Sequence, residues 1–425
     1  MSFQQALSGL NAAAKNLDVI GNNVANANTV GFKIGQAQFA DVFAASLAGS
    51  GSSPVGLGTK LATVVQQFTQ GNITATNNPL DIAINGGGFF RLSDEAGAIT
   101  YARNGQFQLD KDGFIVTSSG LRLTGYPATS NGLITTGAAG ELQISAVDIS
   151  PQATGTSTLG AQGVVAELNL DSREPVLAGA FDFTDPATFT RSTALTVYDS
   201  LGSPHTYNLY FVKTAVNEWD VFSTLTNPAE VTADLSTGGT TPLGTLVFDT
   251  SGQIDTTATT LPFSQTVDAT DLGTGAADLT FEVDFGNTTQ FGGAFGVNSL
   301  TQDGFSLGKL SGFSAGDDGI IVGRYTNGQS KNLGQVVLAS FRNPQGLQPI
   351  GNNQWVDTSA SGEALLGEPG SSGAFGPLQS SAVEDSNVDL TAELVNMITA
   401  QRVYQANAQT IKTQDAVLQT LVSLR

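Results

Sequence analysis

The sequence predicts a mixed, mostly β chain: nested, discontinuous all-β domains of the hairpin-rich barrel or sandwich type, with N- and C-terminal α-helices pairing as a coiled-coil-like seam. Three observations predict it. Apolar residues recur every seven positions at both ends of the 425-residue chain. Between the ends the period falls to two, with turn dipeptides between the runs. The pattern is also symmetric about an acidic middle, as though the chain runs out and returns.

The first 28 residues carry the first helical stripe. Phe3, Leu10, Leu17 and Val24 lie seven apart; Leu7, Ala14 and Gly21 fill the alternate positions, and Ala6 and Ile20 widen the row. Gln4, Asn11, Lys15, Asp18 and Asn22 make the opposite face polar, so the helix is amphipathic. NNVANANTVGFK (22–33) ends it. Asn22, Asn23, Asn26 and Asn28 lower helix propensity, and asparagine tolerates the left-handed conformation that closes many helices. Thr29-Val30-Gly31 then makes a turn and Phe32 anchors the segment beyond it. An ordinary C-cap without special role reads the same way.

Small, flexible GSGSSP (49–54) reads as a linker. Alternation follows in LDIAIN (80–85), FQL (107–109), LRL (121–123), LQI (142–144), TYNLYFV (206–212), WDVFSTL (219–225) and LTFEVDF (279–285), with a more buried run in VVLASF (336–341). Asn104-Gly105, Asp112-Gly113, Asn131-Gly132, Leu201-Gly202 and Asn327-Gly328 supply turns. GEPGSSGAFGP (367–377) reads as a second linker. The final helix repeats the seven-residue spacing in Leu390, Met397, Tyr404, Ile411 and Leu418, with Leu394, Gln401, Ala408, Asp415 and Val422 as a second row and a capped start at Ser386 and Asp389. The expected domains are 1–28 with 387–425 (helical), 29–78 with 355–386 (joints), 79–149 with 301–354 (inner β) and 150–300 (acidic outer β).

The chain has 17 basic and 37 acidic residues, a net charge of −20. Residues 150–300 hold 17 acidic and 3 basic side chains and so carry −14 of it. That balance argues against nucleic acid and anionic lipid as partners. There is no cysteine, which removes disulfides and thiolate chemistry. No run of about 18 apolar residues exists, so membrane insertion is not expected. The first residues, MSFQQALSGLNAAAKNLDVI, lack the basic opening and compact apolar core of a cleavable signal.

Motifs for chemistry are sparse. GFSAG (312–316) matches G-x-S-x-G, but the nucleophile elbow needs a strand before and a helix after, and DDGIIVGRY reads as turn and strand. Ser314 would also depend on His205, the single histidine. LDKDG (109–113) fails as a calcium loop because Gln108 and Ser119 fall where ligands should stand; it reads as a hairpin turn. INGGGFF (84–90) lacks the helix that a phosphate cradle requires and reads as a tight turn or bulge. One histidine and no cysteine exclude the usual nitrogen and sulfur metal clusters. Paired carboxylates are all a glycosidase needs, but the acids lack aromatic neighbours and read as solvated surface. No cofactor, metal or catalytic residue is expected.

The stretch 22–33, with Ala25 and Lys33 completing it, resembles the N-terminal motif of the bacterial flagellar axial proteins, the rod, hook and junction subunits. NPLDIAINGGGFF (78–90), YARNGQFQLDKDGFIVTSSGLRLTGYPA (101–128) and SNVDLTAELVNMITAQRVYQANAQTIKTQDAVLQTLVSLR (386–425) extend the resemblance, and VYDSLGSPHTYNLYFV (197–212) is similar to the outer domain of hook subunits, which simple rod subunits lack. Residues 226–300 are the least distinctive. The resemblance implies a homopolymer: a curved, flexible helical tube that transmits motor torque to the filament, with paired terminal helices lining the channel. It further implies export through the flagellar type III apparatus, polymerisation under a hook cap protein, and contacts with the distal rod and the hook–filament junction protein. Location outside the cell would follow. The alternatives are a distal rod or other axial subunit, or a secreted β-rich adhesin or carbohydrate-acting enzyme.

Overall fold

The computed structural model describes residues 2–42, 56–129, 132–144, 148–157, 163–236 and 238–423. The expected linker at 49–54 and Asn131 lie outside them. The chain forms two compact units, and the second is inserted into the sequence of the first. Unit one comprises Met1–Ala146, Gly312–Arg324 and Ser330–Arg425; unit two comprises Val147–Ser311 and Tyr325–Gln329.

In unit one the N-terminal helix spans Ser2–Ala25 and the C-terminal helix Leu390–Ser423. The expected polar face of the N-terminal helix is exposed throughout: Gln4, Asn11, Lys15, Asp18 and Asn22. The helix is followed by an antiparallel hairpin, Gly35–Val42 against Gly58–Gln66, which packs on it. The body is a continuous antiparallel sheet in which outbound strands form the middle and returning strands flank them on both sides. Ser330–Val336 pairs with Arg122–Pro127, which pairs with Phe89–Ser93; that strand pairs with Ile99–Ala102, which pairs with Gln354–Val356. Its core is mostly aromatic: Phe89, Tyr101, Phe341 and Trp355, with Ala339 and Leu347. Tyr101 meets Phe341 edge-on at 4.7 Å, and Phe68 meets both Phe89 and Trp355 at 5.4 Å.

Two short ladders tie the chain's start to its return: Ile82–Ile84 with Leu378–Ser380, and Ile73–Ala75 with Ala382–Glu384. The glycine-rich stretch 367–377 is therefore no free linker. Phe375 is buried, the Gly376 N–H donates to the Gly87 carbonyl at 2.8 Å, and Leu365–Gly367 is a strand paired with Leu338–Ser340. A small-residue composition here serves close backbone packing against INGGGFF.

Unit two is a two-sheet structure. One sheet orders Phe263–Val267, Leu279–Asp284, Val164–Asn169 and Gly296–Gln302, with Val164–Asn169 parallel to Leu279–Asp284. The other runs Arg191–Tyr198, Pro204–Ala215 and Glu218–Thr226; Thr232–Asp234 and Gly244–Val247 both pair with the last strand. Leu168, Tyr207, Leu209, Phe211, Trp219, Phe281 and Phe285, each at most 2% exposed, lie at the centre of its core. At the alternate positions Val212 and Phe222 are buried and Tyr210 is half-buried. They pack with Phe181 and Phe189 in a second cluster, where Phe181 stacks on Phe222 at 4.5 Å. TYNLYFV starts in alternation and ends in the continuous apolar run LYFV because its last residues meet apolar neighbours on both faces, which a single period-two face does not reveal.

Candidate assembly interface

The helix stop after Ala25 is built from side chains. Asn26 Nδ2 donates to the Asn22 carbonyl at 2.9 Å and Thr29 Oγ1 donates to Asn26 Oδ1 at 3.3 Å. None of Asn22, Asn23, Asn26 and Asn28 is left-handed; the left-handed residue is Gly31, at φ +71°. A Cβ at Gly31 would sit 2.5 Å from the Asn104 nitrogen, so only glycine fits. Phe32 is half-buried and is not the anchor. The Lys33 side chain beside it is wholly removed from solvent. Ala25, Asn22 and Asn28 are exposed.

Lys33 Nζ donates to Glu384 Oε1 at 2.6 Å and to the Thr69 carbonyl at 2.7 Å. Arg103 Nη1 donates to Glu384 Oε2 at 3.1 Å, and its Nη2 donates to the Gly86 carbonyl at 2.8 Å. The Gly71 N–H donates to Glu384 Oε1 at 2.9 Å and the Gly31 N–H to the Glu384 carbonyl at 2.8 Å. Burial holds the pKa values of Lys33 and Arg103 below their ordinary range, against the pull of Glu384 in the opposite direction; Arg103 adds to the depression of Lys33. Nearby, Asn23 Nδ2 donates to Glu393 Oε2 at 3.1 Å and to the Gly35 carbonyl at 2.8 Å, while Asn387 accepts from the Ile34 N–H at 2.8 Å and donates to the Gln67 carbonyl at 2.8 Å. The N-terminal motif is thus one half of a polar junction whose other half is 384–393. Sequence reading missed Arg103, Glu384, Asn387 and Glu393. The one local signal was a carboxylate directly after the buried pair Ala382-Val383.

Asp389, not Ser386, caps the C-terminal helix: its Oδ1 accepts from the Thr391 N–H at 2.8 Å and the Ala392 N–H at 3.2 Å. The two helices pack through small and polar residues. Ala6, Ala13, Ile20 and Asn23 are buried on one, Glu393 and Ala400 on the other. A Cβ at Gly9 would come within 2.9 Å of the Asn407 side chain, which shows how closely the helices approach there. A groove of about 780 Å³ runs between them and the hairpin, lined by Val19, Ile20, Phe39, Asn396, Ala400 and Val403 among others.

The expected seam residues divide. Leu10, Leu17, Val24, Met397 and Ile411 are half-buried. Phe3, Leu7, Leu390, Leu394, Tyr404 and Leu418 are exposed, Leu394 by 48% and Leu418 by 54%. Val422 lies on the last helical turn, outside the residues whose side chains are described. Val395, Ile398 and Val417 add to the exposed apolar surface. Among the described residues no group of three or more metal-ligating side chains gathers, and no helix is long and apolar enough to cross a membrane. GFSAG enters a strand, Leu310–Ala315, and then a turn with the Gly316 N–H bonded to the Ile320 carbonyl, so no nucleophile elbow forms. His205 is buried against Asp199 at 3.1 Å. Burial alone would raise the pKa of Asp199, but hydrogen bonds from Thr274, the Ser203 N–H, His205 and the Leu201 N–H lower it on balance.

Four family models match along the chain: Flagella basal body rod protein at 3–33, Flagellar hook protein FlgE/F/G D1 domain at 83–166, Flagellar basal body protein FlaE D2 domain at 169–305, and Flagellar basal body rod FlgEFG protein C-terminal at 379–424. Flagellar hook protein FlgE of Salmonella typhimurium is 45% identical over 427 residues, covering all of both chains. The chain belongs to the flagellar hook protein family. The hook protein of Escherichia coli is 44% identical over the same full span. A crystal structure of Helicobacter pylori flagellar hook protein FlgE2 shares the fold, at TM-score 0.51 and 14% identity over 73% of this chain and all of that one. Hook-family membership makes this a structural subunit of the flagellum and not an enzyme; polymerisation and association with the rod and basal body come with it.

Proposed function

We propose that this hook-family chain builds the curved, flexible tube between motor and filament, and that its terminal helices form the inner wall. One observation carries the reading: the C-terminal helix meets the N-terminal helix through Glu393 and Ala400, leaving Leu390, Leu394, Tyr404 and Leu418 uncovered. An apolar row of that length on a free helix is a surface for other copies. In this reading the seam Phe3, Leu7, Leu10, Leu17, Val24, Leu390, Leu394, Met397, Tyr404, Ile411, Leu418 and Val422 is completed between subunits, and the motif from Asn22 to Lys33 sets the helix on its β body.

The same reading gives the four expected layers their roles: helices inside, joints at 29–78 and 355–386, an inner β layer, and residues 150–300 outermost. Weak polar contacts between acidic outer domains would permit several nearly equal arrangements of neighbouring subunits, as a bending joint that carries torque requires. Export by the flagellar type III apparatus to the cell exterior, growth beneath a hook cap protein on the distal rod, and a final joint to the hook–filament junction protein complete the proposal. Negative-stain imaging of purified chain under polymerising conditions tests it. Curved tubes are expected, and straight or weakened ones when residues 150–300 are deleted. Failure of the intact chain to form any tube would refute the reading.

A further inference from the structure

Lys33, Arg103 and Glu384 form a buried cluster of two cations and one carboxylate, with side-chain exposures of 0%, 3% and 0%. Its members come from opposite ends of the sequence: Glu384 follows Lys33 by 351 positions and Arg103 by 281. Among the described residues the Glu384 carboxylate is the one anion paired with both cations, and it also accepts from the Gly71 amide, while the Glu384 backbone carbonyl accepts from the Gly31 amide. Among the described residues Arg103 Nε has no hydrogen-bond partner, so the guanidinium depends on Glu384, the Gly86 carbonyl and the Phe89 ring, 5.3 Å from its Cζ. Without Glu384, two positive charges would share a site closed to water, which is costly enough to force it open. We propose that Glu384 is a closure latch: the turn at 31–35 and the segment 67–72 take their docked positions only when the returning chain delivers this carboxylate. Ordering of the first helix on the β body is thereby conditional on an essentially complete chain. Asn387 and the Asn23–Glu393 contact extend the latch onto the C-terminal helix.

The charge count separates a latch from simple packing. Lys33→Met removes one of two cations and leaves Arg103 and Glu384 balanced; Glu384→Gln removes the only anion. If packing alone mattered, both changes at fully buried positions would do similar damage. The test is hydrogen–deuterium exchange on the full-length chain, with strands Pro204–Ala215 and Glu218–Thr226 of unit two as internal reference. Glu384→Gln is expected to speed exchange in 31–35, 67–72 and 382–386 together by about a hundredfold. Lys33→Met should speed it by no more than about threefold, with the reference strands unchanged in both. The triple change Lys33→Met, Arg103→Met, Glu384→Met removes the imbalance and should restore most of the protection. The proposal is overturned if Lys33→Met matches Glu384→Gln, if 382–386 loosens alone, if the triple change stays as open as Glu384→Gln, or if the reference strands lose protection as well.

Discussion

Unit two and the paired chain ends bury opposite kinds of surface. In unit two, Tyr207, Phe211, Trp219, Phe281 and Phe285 are sealed between two sheets, and Phe181 and Phe222 seal an outer face as well. Each such ring contributes on the order of 1.5–3 kcal/mol. Where the two helices meet, the buried apolar residues are Ala6, Ala13, Ile20 and Ala400, joined by Asn23 and Glu393, while Phe3, Leu7, Leu390, Leu394, Tyr404 and Leu418 stay outside. One region is complete within a single chain. The other carries its apolar surface outward and is held to the body by hydrogen bonds and buried charge. A subunit that must exist singly and then polymerise needs both.

The sharpest way to break that contrast is to hollow the self-sufficient region. Phe281→Ala should cost about 3–5 kcal/mol of unit two stability, since the ring is nearly unexposed and packs edge-on to Tyr207 at 5.2 Å. The chain has two tryptophans, and Trp219 lies in unit two. Denaturant unfolding followed by Trp219 fluorescence in a Trp355→Phe background reads the loss directly. A loss below about 1 kcal/mol would mean the core is less complete than its burial implies. Gly31→Ala should cost less, about 1–3 kcal/mol, from forcing a side chain into the left-handed conformation against the Asn104 backbone. It should loosen unit one, read by Trp355 fluorescence in a Trp219→Phe background, and leave unit two unmoved.

The same contrast marks how far sequence alone reached. Period two located strands in seven of its eight named stretches, LQI (142–144) holding only an isolated bridge at Gln143, and left others such as the hairpin Gly35–Val42 with Gly58–Gln66 unnamed. Period seven located both helices to within about three residues, because those signals are local. The partner of each face is not local. Leu394 and Glu393 are neighbours, yet the carboxylate is buried at Asn23 and the leucine is exposed. Nothing in the heptad says that a helix will turn its polar edge inward and leave its apolar row uncovered. For the same reason Arg103 and Glu384 were invisible as partners, being 281 positions apart. The stretch 367–377 misled because glycine and serine suit flexible chain and tight packing alike.

Acid should act on the two regions unequally. In unit two, Asp171 is held down to about 2 by the Arg173 side chain and its N–H; Asp182, Asp249 and Asp255 are lowered chiefly by side-chain hydrogen bonds from Thr184, Ser251 and Thr257, with N–H bonds adding to it. A carboxylate depressed in the folded state adds stability that is fully present above its unfolded value near 3.8 and is lost as pH falls through the folded value. Unit two is therefore expected to weaken between about pH 4 and pH 2, each surface turn contributing a small share. Thermal melts by Trp219 fluorescence across that range check it; a flat profile would show that these turns carry no folded-state preference.

Least visible in the single chain is Leu394→Asp. The side chain is 48% exposed, so the free subunit should change by no more than about 0.5 kcal/mol. In the proposed tube the same position would lie within the inter-subunit seam, where an unpaired carboxylate is strongly disfavoured. The expected outcome is unchanged melting of the monomer with loss of polymer, read by thermal denaturation and by sedimentation under polymerising conditions. Loss of monomer stability would place Leu394 in the chain's own core. Normal polymer from a stable mutant would remove this row from the interface altogether, and the exposed face would then need another occupant.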